Sequence, residues 1–333
     1  RSCAFMAERS PPASVAALRI APDVEIGRGV SSVVQLASTA DDGPPRRYAL
    51  KTIEKAKIVG QNQLTRLFRE KELLGELRHP SIVRLHTTFQ DESHLYFLLE
   101  LLSGGELLWH MHRAQGRVPP ATARTCMGAL LLPLRFMLEQ GVLYRDLKPT
   151  NVVFSAAGRL TLVDFGHAKR VAPGERSTSL CGTPHYHAPE AVRGEAHGLP
   201  AQLWALGVLL VEMTSGAAPY WEGRGGVSLK EQILGPPADL KDVPTEARPL
   251  AAALLRASPD EREAAFPRGY ADVMDQPWLA ELAWPAIEAG ECVPASFDFE
   301  AAARANGLLD GAAEDSTDAA RGGPDEPDPF ADF

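Results

Sequence analysis

An α+β fold in two lobes is predicted by three observations. Apolar residues alternate along much of the first hundred positions, one helical stretch interrupts them, and helical periodicity rich in alanine follows a Ser-Gly-Gly break at 103–105. At 45% hydrophobic and 23% charged, the 333 residues have a globular composition, long enough for two lobes and a tail. No apolar run reaches the roughly 18 residues of a membrane helix. The longest, around 129–138, is interrupted by Pro133 and Arg135, so no membrane span is expected.

Taken in order, residues 1–19 read as a leader with an apolar stretch near Val15 to Ile20. The segments VVQLAS (33–38) and YALKTIE (48–54) read as strands joined by a turn over 41–45, where Asp, Gly and Pro cluster. Over 61–77 the period changes: Leu64, Leu67, Phe68, Leu74 and Leu77 recur at helical spacing among charged residues. Strands are expected again at 82–89 and 94–101. This gives a small β-rich N-lobe over 20–102 with one long helix, a larger, mainly helical C-lobe over 103–281, and an extended tail over 282–333 that loses periodicity from about 287.

The net charge of −9 is concentrated in that tail, where ten acids in 298–333 face only Arg304 and Arg321. Residues 1–297, with 33 acids and 32 bases, lack the basic excess of a nucleic-acid binder. Four cysteines at 3, 126, 181 and 292 form no CxxC pair, which suits reduced thiols and an intracellular, cytoplasmic location. Residues 1–10 hold no signal-peptide core, and a chain starting at Arg1 rather than Met leaves room for a segment upstream.

Chemistry concentrates in a few segments. In IGRGVSSVV (26–34), Gly27 and Gly29 let backbone N–H groups approach phosphates, although a plain hairpin turn is the better description of that loop taken alone. Lys51, on the next strand, suits two phosphates of a nucleotide if an anion fixes its flexible ammonium, and Glu70 on the long helix is the candidate. YRDLKPTN (144–151) puts Asp146, Lys148 and Asn151 within six residues: a carboxylate base, a cation and an amide oxygen for a hard metal ion. VDFG adds the carboxylate of Asp164, and CGTPHYHAPE adds Thr183 and Glu190 at the spacing of a substrate-binding segment.

With these motifs in this order, residues 20–280 resemble a eukaryotic protein kinase. Tyr144 before RDLKP, the LCGTP string and the terminal FADF make the chain similar to the AGC group, nearest the cyclic-nucleotide-dependent kinases. The acidic, proline-bearing stretch before the last Phe is more like the cyclic-GMP branch. The resemblance implies the bilobal protein-kinase fold and a Ser/Thr kinase using ATP and Mg²⁺. It puts Ile26, Gly27, Gly29 and Val34 over the nucleotide, Lys51 on its phosphates braced by Glu70, and Ala49 and Val153 about the adenine. Leu99 becomes the gatekeeper and Glu100 to Leu102 the hinge. Asn151 and Asp164 bind Mg²⁺, Asp146 orients the substrate hydroxyl, and Lys148 neutralises the γ-phosphoryl.

The same resemblance makes Ser179 the activation-loop phosphosite, with Ser177 and Thr178 as alternatives and Arg66, Arg145 and Lys169 as cationic partners. Leu74, Leu85, Tyr144 and Phe165 fall where the family stacks a spine, and an ordinary core describes them equally well. Phe297 falls in the tail segment that passes the nucleotide, and Phe330 and Phe333 match a hydrophobic motif that folds back onto the small lobe. Glu106 and Glu212 imply substrates with basic residues before the Ser or Thr, with Thr150 replacing a third acid. A cyclic-nucleotide-binding regulatory domain or subunit is the implied partner. Departures are Ser32 for the third loop glycine, His185 for an acid, and Gln202 for the Asp that braces the catalytic loop from below, while Arg262 remains to pair with Glu190. Two readings stay open: an active kinase, and a scaffold that binds ATP and partner proteins without turnover.

Overall fold

A computed structural model of the chain describes residues 11–12, 14–29, 31–40, 45–58, 60–172, 174–222, 224–309, 330 and 333. Outside these lie residues 1–10 of the expected leader, the turn over 41–45 except Pro45, and the acidic stretch 310–329 with 331–332. The chain divides into two compact units, one drawn from Arg1–Lys71, Arg84–Leu101 and Arg304–Phe333, the other from Glu72–Val83 and Leu102–Ala303.

The first unit is built on an antiparallel sheet of β1 (Leu18–Arg28), β2 (Ser32–Thr39), β3 (Arg47–Glu54), β4 (Leu85–Gln90) and β5 (His94–Glu100) in the order β1-β2-β3-β5-β4. Helix α1 (Gln61–Glu76) follows β3, and the division between units falls within it. Pro22 is tolerated because β1 is an edge strand. Alternation sets the two faces. Tyr48, Leu50, Tyr96 and Leu98 join Leu18 and Ala37 in one apolar cluster, and the alternate positions Ala49, Lys51, Phe97 and Leu99 take the opposite face. Only the second half of the strand expected over 82–89 forms. Residues 81–83 belong to the second unit, where Val83 N donates to Leu162 O at 3.0 Å and Leu162 N to Ser81 O at 2.9 Å. That spends the backbone groups an earlier start of β4 would use.

The second unit opens with α2 (Leu107–Arg113) and α3 (Pro120–Glu139), then two short strand pairs. β6 (Val142–Leu143) pairs with β9 (Lys169–Arg170), and β7 (Val152–Phe154) with β8 (Leu160–Leu162). Among the described residues no helix is long and apolar enough to cross a membrane. After α4 (Pro189–Val192) comes α5 (Leu199–Ser215), apolar nearly all round and buried along its length. It stops at Gly216, whose φ of 90° closes the helix in the left-handed region. Helices α6 (Leu229–Leu234), α7 (Arg248–Leu254), α8 (Pro259–Ala265), α9 (Tyr270–Met274) and α10 (Trp284–Glu288) complete this unit's core.

Arg262 of α8, with no exposed surface, is the anchor of that core. It pairs with Glu190 of α4, donates to Pro200 O at 2.9 Å, and lies 5.3 Å from the centre of the Trp204 ring. The tail is not extended throughout. Residues Phe299–Ala305 form α11, an alanine-rich helix of about two turns whose Ala301 N–H is capped by Asp298 Oδ1 at 2.8 Å.

Candidate active site

Loop 144–151 leaves β6 and returns into β7, and it contains one costly turn: Arg145 has φ 66°, rare for a residue with a side chain. Gln202, in the first turn of α5, holds this turn. Its Oε1 accepts Tyr144 N at 3.0 Å and Arg145 N at 2.9 Å, and the side chain is buried. The neutral amide therefore makes both braces through one oxygen, as neutral rather than charge-assisted hydrogen bonds.

Downstream of that turn the Asp146 carboxylate is fixed from three sides. Lys148 Nζ donates to Oδ2 at 2.8 Å, Asn151 Nδ2 donates to Oδ2 and to the Asp146 carbonyl at 2.9 Å each, and Thr183 Oγ1 donates to Oδ1 at 3.2 Å. Gly182 makes the approach of the 181–190 segment feasible. With φ 89°, a Cβ there would stand 2.7 Å from the Arg145 carbonyl, so only glycine fits. Asn151 commits its NH₂ to Asp146, which turns its amide oxygen away from that carboxylate.

Asp164 follows β8, is exposed, and has φ 57°, with Gly166 N donating to its Oδ1 at 3.3 Å. An amide oxygen and a carboxylate are hard donors, so the set Asn151 and Asp164 fits a cation such as Mg²⁺. Tyr144 donates to the Val163 carbonyl, and its ring meets that of Phe165 at 5.3 Å, both fully buried. Leu74 is buried in the same unit, and Leu85 belongs to the other.

The three expected bases of the activation segment fare differently. Arg145 Nη1 donates to the exposed Ser179 Oγ at 3.1 Å, and Ser177 Oγ lies 3.2 Å from that oxygen. Lys169 donates to Glu175 at 3.3 Å, and Arg66 is an exposed residue of the first unit. Glu106 precedes α2, and Glu212 lies near the end of α5, where Tyr186 donates to it. Burial raises the pKa of both carboxyls above the ordinary range, opposed by the charge of Lys148 at Glu106 and by the Tyr186 hydrogen bond at Glu212. Leu102 is buried here, and Val153 bridges to Glu106. Phe297 stacks on His110 with centroids 4.4 Å apart and packs on Phe154, while His110 Nε2 donates to Gly104 O at 2.7 Å.

In the first unit Lys51 Nζ donates to Glu70 Oε1 at 2.7 Å, with side chains only 14% and 5% exposed. Register places Val34 opposite Lys51 and Gly27, and Ala49 opposite Leu99. Ile26 precedes Gly27 near the end of β1, and Gly29 N closes the turn onto Ser32 O at 2.8 Å. Glu100 N donates to Arg84 O at 2.9 Å. Phe330 and Phe333 are both buried in this unit. Phe333 meets Phe97 at 5.1 Å and Phe68 at 5.9 Å, Thr88 Oγ1 donates to its carbonyl at 2.8 Å, and Lys55 Nζ lies 5.0 Å over the Phe330 ring. Sequence reasoning passed over Gly182, Tyr186 and His110. The first carries a signal, a glycine inside a reactive segment; the other two act through partners distant along the chain or through burial.

Comparison with known proteins gives one family match, "Protein kinase domain", over residues 21–279. The chain is 35% identical over 259 residues to the cAMP-dependent protein kinase catalytic subunit of Dictyostelium discoideum, covering 78% of this chain and 39% of that protein. It is 34% identical over 250 residues to the Arabidopsis thaliana serine/threonine-protein kinase AtPK2/AtPK19, covering 74% and 52%. To human cGMP-dependent protein kinase 2 it is 34% identical over 248 residues, covering 73% and 32%. The chain thus spans about a third to a half of the length of the curated relatives it matches.

Proposed function

The chain belongs to the protein kinase domain family, and from that premise we propose that it is an active Ser/Thr kinase. In this reading it transfers the γ-phosphoryl of ATP to hydroxyls in basic protein substrates. The observation that carries it is the Asp146 carboxylate, held by Lys148, Asn151 and Thr183 on a braced loop. A carboxylate fixed in this way is preorganised to orient a substrate hydroxyl and take its proton. Lys148 is then positioned to offset charge on the transferring group.

Lys51, held by Glu70, binds the nucleotide's phosphates, and Gly27 and Gly29 offer backbone N–H groups to them. Ile26, Val34, Ala49, Leu99, Glu100, Leu102 and Val153 contact the base. Asn151 and Asp164 would hold Mg²⁺, which would supply positive charge to offset that of the nucleotide's phosphates. Glu106 and Glu212 bind arginines of the substrate, as the resemblance implies. Phosphorylation of Ser179 adds charge beside Arg145 and orders its segment. The lobes are 20–102 and 103–281 with the tail 282–333, and control by a cyclic nucleotide acts through a regulatory domain or subunit, as the names of the relatives suggest.

The test is transfer of labelled γ-phosphate from Mg·ATP to a peptide with arginines two and three residues before a serine. The parent chain is expected to transfer it, and the folded Asp146→Asn variant to lose at least two orders of magnitude. No transfer by the parent, with Ser179 phosphorylated and ATP bound, favours the non-catalytic scaffold.

A further inference from the structure

Glu106 and Glu212, the two acids of the second unit that take substrate cations in the proposed function, have different neighbours. Glu106 feels the ammonium of Lys148. Glu212 feels two imidazoles, His185 and His112, and imidazole is the side chain that ordinarily changes charge between pH 5 and 8. Glu212 spends Oε2 on the Tyr186 hydroxyl, and no hydrogen bond joins its Oε1 to the described residues.

Three elements bring these groups together. Tyr186 ends the single turn Pro184–Tyr186 and donates to Glu212, so His185, one position earlier, is carried to the same end of α5. His112 lies in the last turn of α2, and the chain leaving α2 is tied to that end of α5. Val118 N donates to Met213 O at 2.8 Å, Arg117 Nε donates to Ser215 O at 3.1 Å, and a Cβ on Gly116 would stand 3.1 Å from Gly216 O. The other charged groups here are engaged elsewhere: Asp146 bears on Tyr186, Arg117 pairs with Asp242, and Arg113 lies over the Trp109 ring. His187, one residue past Tyr186, bonds to the Cys181 and Gly182 backbone. Among the described residues no three His, Cys, Asp or Glu side chains are grouped to hold a metal, so the two imidazoles act on Glu212 through charge and not through a shared ion.

We infer that His185 and His112 determine how strongly the Glu212 subsite takes an arginine of the substrate, and that protonating them weakens it. Neutral imidazoles leave the charge of the carboxylate to an incoming guanidinium. Protonated ones offset that charge, and the guanidinium then meets two like charges. The arginine met by Glu106 has no such neighbours, so one basic position of the substrate is sensitive to pH and the other is not. This rests on the reading that Glu212 binds a substrate arginine. Glu212 also takes up a proton in acid, the more readily because burial raises its pKa, so the histidines have to be tested by name.

The probe is a labelled peptide with arginines two and three residues before an alanine that replaces the target serine, so that binding is read without turnover. Its affinity for the full chain is measured by fluorescence anisotropy from about pH 8 to about pH 6. The dissociation constant is expected to rise about tenfold over this interval in the parent, and to stay near its starting value in the double variant His185→Asn with His112→Asn. Replacing by alanine the arginine that Glu212→Gln no longer distinguishes removes the response, and replacing the other keeps it. In the parent, NMR titration of the histidine rings reads the reciprocal effect: bound peptide makes His185 and His112 together about tenfold harder to protonate. A double variant that responds to pH as the parent does, ring titrations that the peptide leaves unmoved, or a Glu212→Gln chain that binds the two-arginine peptide as tightly as the parent would each overturn the inference. Failure of the phosphotransfer reading alone looks different, with no transfer but peptide binding and its pH response intact.

Discussion

A single amide oxygen, Oε1 of Gln202, holds the turn that leads into Asp146. Gln202 stands where the resemblance leads one to expect a carboxylate, and a charged acceptor would give stronger hydrogen bonds, roughly 1.5–3 kcal/mol against about 1 for neutral ones. Both backbone N–H groups are nevertheless satisfied, at 3.0 and 2.9 Å. Removing the oxygen with Gln202→Leu leaves both donors unpaired and costs roughly 1–3 kcal/mol for each. The expected outcome is a lower melting temperature and a fall in kcat with little change in KM for ATP, with Gln202→Glu restoring the rate. A stabilising role alone would lower the melting temperature and leave kcat intact. The sequence made this position visible as a departure from a motif, but the number of bonds the amide makes depends on how α5 meets the loop, and no local pattern encodes that.

At the scale of elements, strands and helices were legible wherever apolar alternation or helical spacing ran for six residues or more, as in β2, β3, β5 and α1. The misreadings share one cause, tertiary demand on the backbone. Residues 81–83 pair with Leu162 instead of extending β4, and α11 forms in a segment whose alanines give no amphipathic signal. That helix follows Phe297, which stacks on the buried His110, and Phe299 in its first turn meets the same ring at 5.3 Å. Burial lowers the His110 pKa from its ordinary value of 6.5. The Gly104 carbonyl and Asp298 oppose this, and Arg113 adds to it. The unfolded state therefore binds the proton more tightly, and the stability of this contact is present above pH 6.5 and lost as pH falls from there toward the lowered value. Hydrogen exchange of residues 296–305 is expected to accelerate on acidification through that window. Substituting His110→Phe should abolish the pH dependence; if it persists, another group is responsible.

For the whole molecule, the motifs announced the family and the two-part organisation, because nucleotide chemistry needs fixed residue types at fixed spacings. The terminal motif carries the expectation that Phe330 and Phe333 fold back onto the small lobe, but not which residues receive them. Phe333, 236 positions beyond Phe97 in sequence, packs on that ring and is held through its carbonyl by Thr88 and Lys71. Phe333→Ala is expected to lower the unfolding free energy by about 3 kcal/mol in urea titration. A change below 1 kcal/mol would mean that the ring contributes little to folding. A comparable long-range match joins Gly105 to α11. With φ 83°, a Cβ on Gly105 would stand 2.6 Å from the Ala302 Cβ, so neither partner has room to grow while the other stays. Seen as heredity, positions 105 and 302 behave as one locus: a lineage that acquires a side chain after Gly104 must first give up the tail helix or its methyl at 302, and the two characters should be inherited and lost together.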